Sequence, residues 1–277
     1  MSSILIISPE PWDGHCVSKH HYALELARRG HKVLFHGPPE ASGCMWLEPA
    51  ADTLGDITVL HGPRVSRGLR FLPAPLRRAL EARWLEQVEV LVGEPIDVIW
   101  SFENSRFFDM SFAGERLKIY QQVDLNQDFH PAQAAISADI AIALNAFIAT
   151  RLRSLGVEKP IHLVSHGLSI ETNAAPIPDL PQDRTNAAYI GNLGIRYLDV
   201  DAFAEVVHMH SSRVLFHLFG RFDENMPLRQ ALEGQDNVIW YGWQAPQTVY
   251  QYLRAMDIGM VLYRTSMGHA QLSNSHK

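Results

Sequence analysis

Residues 187–197, AAYIGNLGIRY, decide how this chain is read. Residues 187–190 form a short apolar run of buried-strand type, and the turn Gly191-Asn192-Leu193-Gly194 follows. Arg196 and Tyr197 then lead into an amphipathic helix over 199–210. A strand that ends in glycine and opens a helix can hold phosphate. The glycines let backbone approach closely, and the helix N-terminus offers free N–H groups and partial positive charge. Arg196 adds a planar donor fork that suits phosphate oxygens. The same pattern also turns the chain in α/β proteins that bind no phosphate, so the flanking sequence has to decide.

Downstream, the strand–helix pattern continues. Strands are expected at 214–219, 237–241 and 258–263, with helices at 226–233 and 247–256. Upstream, residues 172–185 carry Pro176, Pro178 and Pro181 among Asn and Asp, the composition of a linker. Before it runs a separate series. ILIIS at 4–8 reads as a strand buried on both faces. A helix over 18–29 is closed by Gly30, and a strand at 32–36 completes a βαβ unit. Further strands are expected at 56–60, 97–100, 117–120, 137–143 and 161–164, with helices at 86–92 and 146–155. The sequence therefore predicts an α/β protein of two Rossmann-like halves facing a cleft, with the boundary between residues 171 and 184. Ligands are expected at the carboxyl ends of the strands. The first half lacks the GxGxxG of dinucleotide-binding dehydrogenases. The second half offers four strands and reaches Lys277 in a loop, so an incomplete second domain is expected.

Composition narrows the function. The 277 residues are 47% hydrophobic and 19% charged, enough for a sizeable core and too few charges for a disordered chain. A formal net charge of −6 argues against bulk nucleic-acid binding. Cys16 and Cys44 have no CxxC spacing, which fits neither a disulfide framework nor structural zinc and suits a reducing, cytoplasmic compartment. The histidine pairs His20-His21 and His208/His210 lack a carboxylate at ligand spacing, so no metal is expected. No secretory signal and no membrane-spanning run is visible. Residues 63–84 stand apart: Arg64, Arg67, Arg70, Arg77, Arg78 and Arg83 alternate with Leu69, Phe71, Leu72, Leu76, Leu80 and Trp84. Such a cluster reads either as an ordinary surface helix or as a contact for an anionic membrane or acceptor.

Several stretches together resemble the GT-B glycosyltransferases of the family-4 type. ILIISPEPWDGHCVSKHHYALELARRGHKVLFHGP resembles the family's first strand, glycine loop and following helix. SADIAIALNAFIATRLRSLG and IHLVSHGLSIE are similar to the family's segments before the domain crossover. YIGNLGIRYLDVDAF, NVIWYGWQAPQTVYQYLRAMDIGMVLYR and SNSHK resemble parts of its nucleotide domain. The resemblance covers nearly the whole chain. It implies an acceptor domain over 1–170, a linker over 171–185 and a nucleotide-sugar domain over 186–277. It implies transfer of a hexose from a nucleoside-diphosphate sugar to a glycan or lipid-linked glycan hydroxyl in polysaccharide assembly, without metal or other cofactor. Two residues depart from the family pattern: His166 stands where asparagine is usual, and Asn192 where arginine is common. The chain also reaches Lys277 before the helix whose glutamate holds the donor sugar in family members, which implies a partial second domain. Rival readings are a non-catalytic nucleotide- or sugar-binding module and a nucleotide-sugar epimerase of the same double-Rossmann form.

The resemblance assigns candidate residues. Gly14 would back the donor diphosphate, and Arg196 and Lys277 would neutralise it. Gly191 and Asn192 form the glycine turn. Gly220-Arg221 ends the second strand of the second half and could face phosphate. Gly242-Trp243 ends the third, where Trp243 would meet the base or simply join the core. Asp124, at a strand end after KIYQQV, would serve as base on the acceptor hydroxyl or cap the next helix. Glu103 and His130 are lesser candidates for that base. The segment 63–84 is a candidate peripheral membrane contact.

Overall fold

In a computed structural model the chain divides into two compact units, Met1–Ile170 and Glu171–Ser275. The structure describes residues 1–13, 16–50, 55–124, 129–167 and 178–264.

The first unit is built on β1 (Ser3–Ile7), all five residues of which are buried. A strand with no polar face has to lie inside a sheet covered on both sides. β1 accordingly pairs in parallel with β2 (Lys32–His36) and with β5 (Val98–Ser101). Outward from β2 lie β4 (Ile57–His61) and β3 (Trp46–Pro49). Outward from β5 lie β6 (Leu117–Gln122), β7 (Ile140–Ala143) and β8 (Ile161–Leu163). The order is β3-β4-β2-β1-β5-β6-β7-β8, with only β3 antiparallel to its neighbour. Ala23 and Ala27 of helix α1 (Ser18–Arg28) pack with Ile4, Ile6 and Phe35 on one face. Trp84, Leu85 and Val88 of α2 (Ala74–Val92) pack with Leu5, Ile7 and Ile99 on the other. The alternation of β1 residues between the two clusters is the period of two that a strand imposes. Helices α3 (Pro131–Ser137) and α4 (Ala146–Ser154) flank β7.

Three details differ from the sequence reading. α2 begins at Ala74, twelve residues before the expected start, because Pro75 sits in the first turn, where its missing N–H costs nothing. The apolar run 137–143 splits into the end of α3 and β7. The edge strand β3 was not anticipated; WLEP is largely exposed and has no alternating pattern.

The second unit has a four-stranded parallel sheet, order β11-β10-β9-β12. Its strands are β9 (Thr185–Ile190), β10 (Val214–Phe219), β11 (Val238–Gly242) and β12 (Ile258–Met260). Its helices are α5 (Val200–Met209), α6 (Pro227–Ala231) and α7 (Pro246–Leu253). Tyr189 and Phe203 meet edge to face at 5.6 Å on one side of the sheet, and Ala188, Phe219 and Val249 cluster on the other. Among the described residues, three polar side chains are buried in this unit, Asn186, His217 and Asn237. His217 is fully buried in β10, with Nδ1 2.9 Å from the Tyr241 hydroxyl and Nε2 2.9 Å from Asn186 Oδ1. The expected strand 258–263 is shorter: β12 stops at Met260, and Tyr263 instead bridges to Leu198.

Burial, with little to offset it, pushes His36, His166 and His217 down to about 4. An unfolded chain binds these protons near pH 6.5, whereas the folded chain binds them only near pH 4. The unfolded state therefore holds more protons across that window, and stability falls as the pH drops through it. Buried Glu81, pushed up to about 8, acts in the opposite direction, but it is one group against three. The unfolding midpoint should be lower at pH 5 than at pH 7, and His36→Gln should flatten the difference. A midpoint that rises on acidification contradicts this account.

Candidate functional site

In the second unit, three adjacent parallel strands end in glycine. Gly191, Gly220 and Gly242 have φ of 142°, 154° and 69°, conformations that favour glycine. Backbone bonds join them: Gly191 N–H donates to Phe219 O and Gly220 N–H to Gly242 O, both at 2.9 Å. The packing is as close as backbone allows, since a Cβ on Gly220 would lie 1.9 Å from Gly191 O. Asn192 turns the chain on itself, its Oδ1 accepting the Gly194 N–H at 3.0 Å. The strand ends thus form a tight shelf. The residues that follow Gly220 and Gly242 are Arg221 and Trp243; Arg221 is exposed, and Trp243 is 54% exposed and outside the core. Arg196 is also exposed, and neither arginine has an ion-pair partner among the described residues.

As expected, Arg196 and Tyr197 separate the glycine turn from the helix; how the helix N-terminus is occupied was not foreseen. α5 starts at Val200, with Asp199 as its cap, Oδ1 accepting from Ala202 N–H at 3.2 Å, and Asp201 in the first turn. Two carboxylates occupy the helix N-terminus, where the dipole already favours them, so an anion gains little there. The Gly191 and Gly220 N–H groups are likewise spent on the neighbouring strands, and the Gly194 N–H inside the turn. The cationic groups available to phosphate at this shelf are therefore the arginine side chains.

In the first unit, Arg106 ties three strand ends together. It donates to Ser8 O beyond β1 and to Gly37 O beyond β2, each at 3.2 Å, and pairs with Glu103 Oε2 beyond β5 at 3.2 Å. Glu103 is buried, and its other oxygen accepts from the Ser105 N–H and hydroxyl, both at 2.7 Å. With both oxygens taken and no exposure, Glu103 braces Arg106 and cannot reach an acceptor hydroxyl. This corrects its assignment as a base. Asp124 is half-buried just past β6, and its charge is felt by the buried Tyr120 hydroxyl. His130 is exposed and stacks on Phe108 at 4.1 Å; partial burial first, then Arg77 and Arg70, lower its pKa and favour the neutral ring. Asn104 joins these parts, donating to Tyr120 Oη at 2.9 Å and accepting from Phe129 N–H at 3.3 Å. Near the start of α1, Ser18 hydrogen-bonds His166. Gly14 and Lys277 lie outside the described residues.

Beside Arg106 lies a cavity of about 480 Å³, which the sequence reading missed. Residues of the loops after β2, β4 and β5 and of α2 line it, among them Arg64, Arg70, Arg77 and Arg106. The signal was present in SFENSRFFDM: a carboxylate three residues before an arginine, then two phenylalanines, all directly after a strand. The basic segment 63–84 is also redistributed. Trp84 stacks in the core against His36 and Phe107, and Arg77 and Arg78 both pair with Asp109. Arg67 and Arg83 are exposed, as are Phe71 and Leu76. The arginines therefore do not form one continuous face. Among the described residues no helix is long and apolar enough to cross a membrane, and no group of three or more metal-ligating side chains could hold a metal ion.

Neither a family profile nor a curated protein sequence matches the chain. Solved structures do match. The lipopolysaccharide outer core galactosyltransferase WaaB, in its apo form, is 15% identical with a TM-score of 0.62, over 98% of this chain and 78% of that one. Anabaena Alr3699/HepE in complex with UDP and glucose is 14% identical with a TM-score of 0.59, over 94% of this chain and 73% of that one. WaaG, a glycosyltransferase involved in lipopolysaccharide biosynthesis, is 15% identical with a TM-score of 0.54, over 92% and 74%. At these identities the likeness shows the fold: the chain has the GT-B fold, with a Rossmann-like sheet in each unit.

The glycine shelf makes a direct prediction. Gly220→Ala introduces a carbon where Gly191 O already sits and should cost at least about 2 kcal/mol through strain and overpacking. Hydrogen exchange at residues 185–242 should accelerate while β1 and β2 stay protected. Unchanged exchange in β9 and β10 would show that the shelf relaxes freely.

Proposed function

We propose that the protein is a glycosyltransferase that moves a sugar from a nucleoside diphosphate to a hydroxyl of a glycan or lipid-linked glycan. The observation that carries the reading is the glycine shelf of the second unit, with Arg221 and Trp243 on its rim and unpaired Arg196 close by in sequence. Structures of the same fold with UDP or UDP-glucose bound, such as HepE, support the choice of donor class. In this reading the chain has an acceptor domain over 1–170 and a donor domain from 186 onward.

The chemistry follows from charge. The bond between the sugar C1 and the diphosphate oxygen breaks, and negative charge develops on the leaving nucleotide. Arg196 and Arg221 stabilise that charge without a proton transfer, and the donor is a substrate, so no resident cofactor is involved. Trp243 offers a flat apolar surface to the base. The new bond joins C1 to the acceptor oxygen, whose proton passes to Asp124, the half-buried carboxylate at the end of β6. The exposed Phe71 and Leu76, with the exposed Arg67 and Arg83 of the same segment, would let the first unit touch the membrane that carries a lipid-linked acceptor.

Calorimetry tests the donor site. Arg196→Ala should weaken UDP binding by about 1.5–3 kcal/mol, the range for a hydrogen bond to a charged group. Trp243→Ala should weaken UDP but leave pyrophosphate binding unchanged. Equal UDP affinity in wild type and Arg196→Ala removes the diphosphate assignment. For the base, Asp124→Asn should lower turnover at least about 100-fold while UDP affinity stays the same; turnover near wild type excludes Asp124 from that role.

A further inference from the structure

The cavity of the first unit carries more positive charge than its own carboxylates neutralise. Arg106 is balanced by Glu103, but Asp109 is shared between Arg77 and Arg78, through Oδ2 at 3.2 and 2.6 Å. Arg64 and Arg70 have no ion pair among the described residues. The one further carboxyl group lining the cavity, Glu81, is only 1% exposed, and burial pushes it up to about 8, so it is neutral at pH 7. Arg77 is itself buried, and its Nε has no hydrogen-bond partner among the described residues. Its guanidinium lies 4.4 Å over the Phe108 ring, which fixes the plane of the fork.

The backbone beside the cavity is also held in an unusual form. Phe107 has φ of +50°, a left-handed conformation that a bulky side chain adopts only under constraint. Trp84 at 4.6 Å and Phe112 at 5.3 Å hold its ring in the core, and its backbone is hydrogen-bonded to Glu81. This strained turn lies between Arg106 and Phe108, both of which line the cavity.

We propose that this cavity is a binding site for a phosphate monoester carried on a sugar, with Arg64, Arg70 and Arg77 as its anion-binding groups and Phe108 as the wall against the sugar. A volume of about 480 Å³ admits a phosphorylated monosaccharide. Arginine forks match the three terminal oxygens of a phosphate monoester, and a doubly charged ligand balances the two unpaired arginines. Calling this ligand the acceptor rests on the proposed transferase function; the anion site itself rests on the cavity alone.

The test is titration of the full chain, without nucleotide, using glucose 6-phosphate, glucose, inorganic phosphate, and vesicles with or without phosphatidic acid. Glucose 6-phosphate should bind at least about tenfold more tightly than glucose. Arg64→Ala and Arg70→Ala, both at exposed positions, should each weaken it about tenfold and leave the unfolding midpoint unchanged. UDP affinity should be unaffected by these variants and lowered by Arg196→Ala. Binding to phosphatidic acid vesicles that the same variants abolish, without binding of glucose 6-phosphate, assigns the phosphate to a lipid headgroup. Glucose 6-phosphate and phosphatidic acid vesicles binding no better than their uncharged controls, or equally well in both variants, overturns the proposal. Loss of UDP binding in Arg64→Ala or Arg70→Ala overturns it differently, by making the cavity the nucleotide site. Loss only in Arg196→Ala leaves the two sites distinct.

Discussion

The second unit depends on one close approach of backbone to backbone. Gly191 and Gly220 meet with no room for a Cβ between them, and the bonds Gly191 N–H to Phe219 O and Gly220 N–H to Gly242 O lock three strand ends at one level. Any side chain at Gly220 would push β9 from β10, which share the longest register in that sheet. The flat shelf that results lets Arg221 and Trp243 emerge next to one another as the first residues past their strands. Positive φ at these glycines is the means of that packing, and the phosphate-binding role often read into such glycines passes to the side chains around them.

The first unit solves a different problem, the accumulation of charge under a sheet. Arg106 donates to the Ser8 and Gly37 carbonyls beyond β1 and β2, and Glu103, just past β5, neutralises it. Nearby, Arg77 and Arg78 share one carboxylate, and Glu81 is kept neutral by burial. Charge is therefore balanced at the strand ends and left in excess at the cavity.

Much of the fold was legible because parallel strands buried on both faces read as unbroken apolar runs. ILII at β1 and VLFHLF at β10 are examples, the latter despite a buried histidine whose partners, Asn186 and Tyr241, lie far away in sequence. β3 was illegible because WLEP is exposed and unpatterned, and the first half of α2 because its prolines and arginines mask the helical period. The glycine shelf could be read only as separate glycines; that they bond to one another depends on strand order. Glu103 was legible as a carboxylate at a strand end but not as a spent one, since its fate is decided by Arg106, Ser105 and burial. The cavity was the least legible, because its arginines come from two loops and a helix.

β3 also determines where the larger sheet stops. It runs against β4, ends in Pro49, and carries Glu48 and Trp46 outward; Trp46 lies flat on His61 at 4.8 Å with 7° between the rings. Glu48 and Glu40 approach the same imidazole at 3.2 and 2.6 Å. A parallel sheet ending at β4 would offer a row of unpaired amides to any other chain. The short reversed strand, with a proline that donates no hydrogen bond and a clustered negative charge, makes that border a poor template for further strands. The protein thus carries its own guard against edge-to-edge fibre growth at the margin of its first unit.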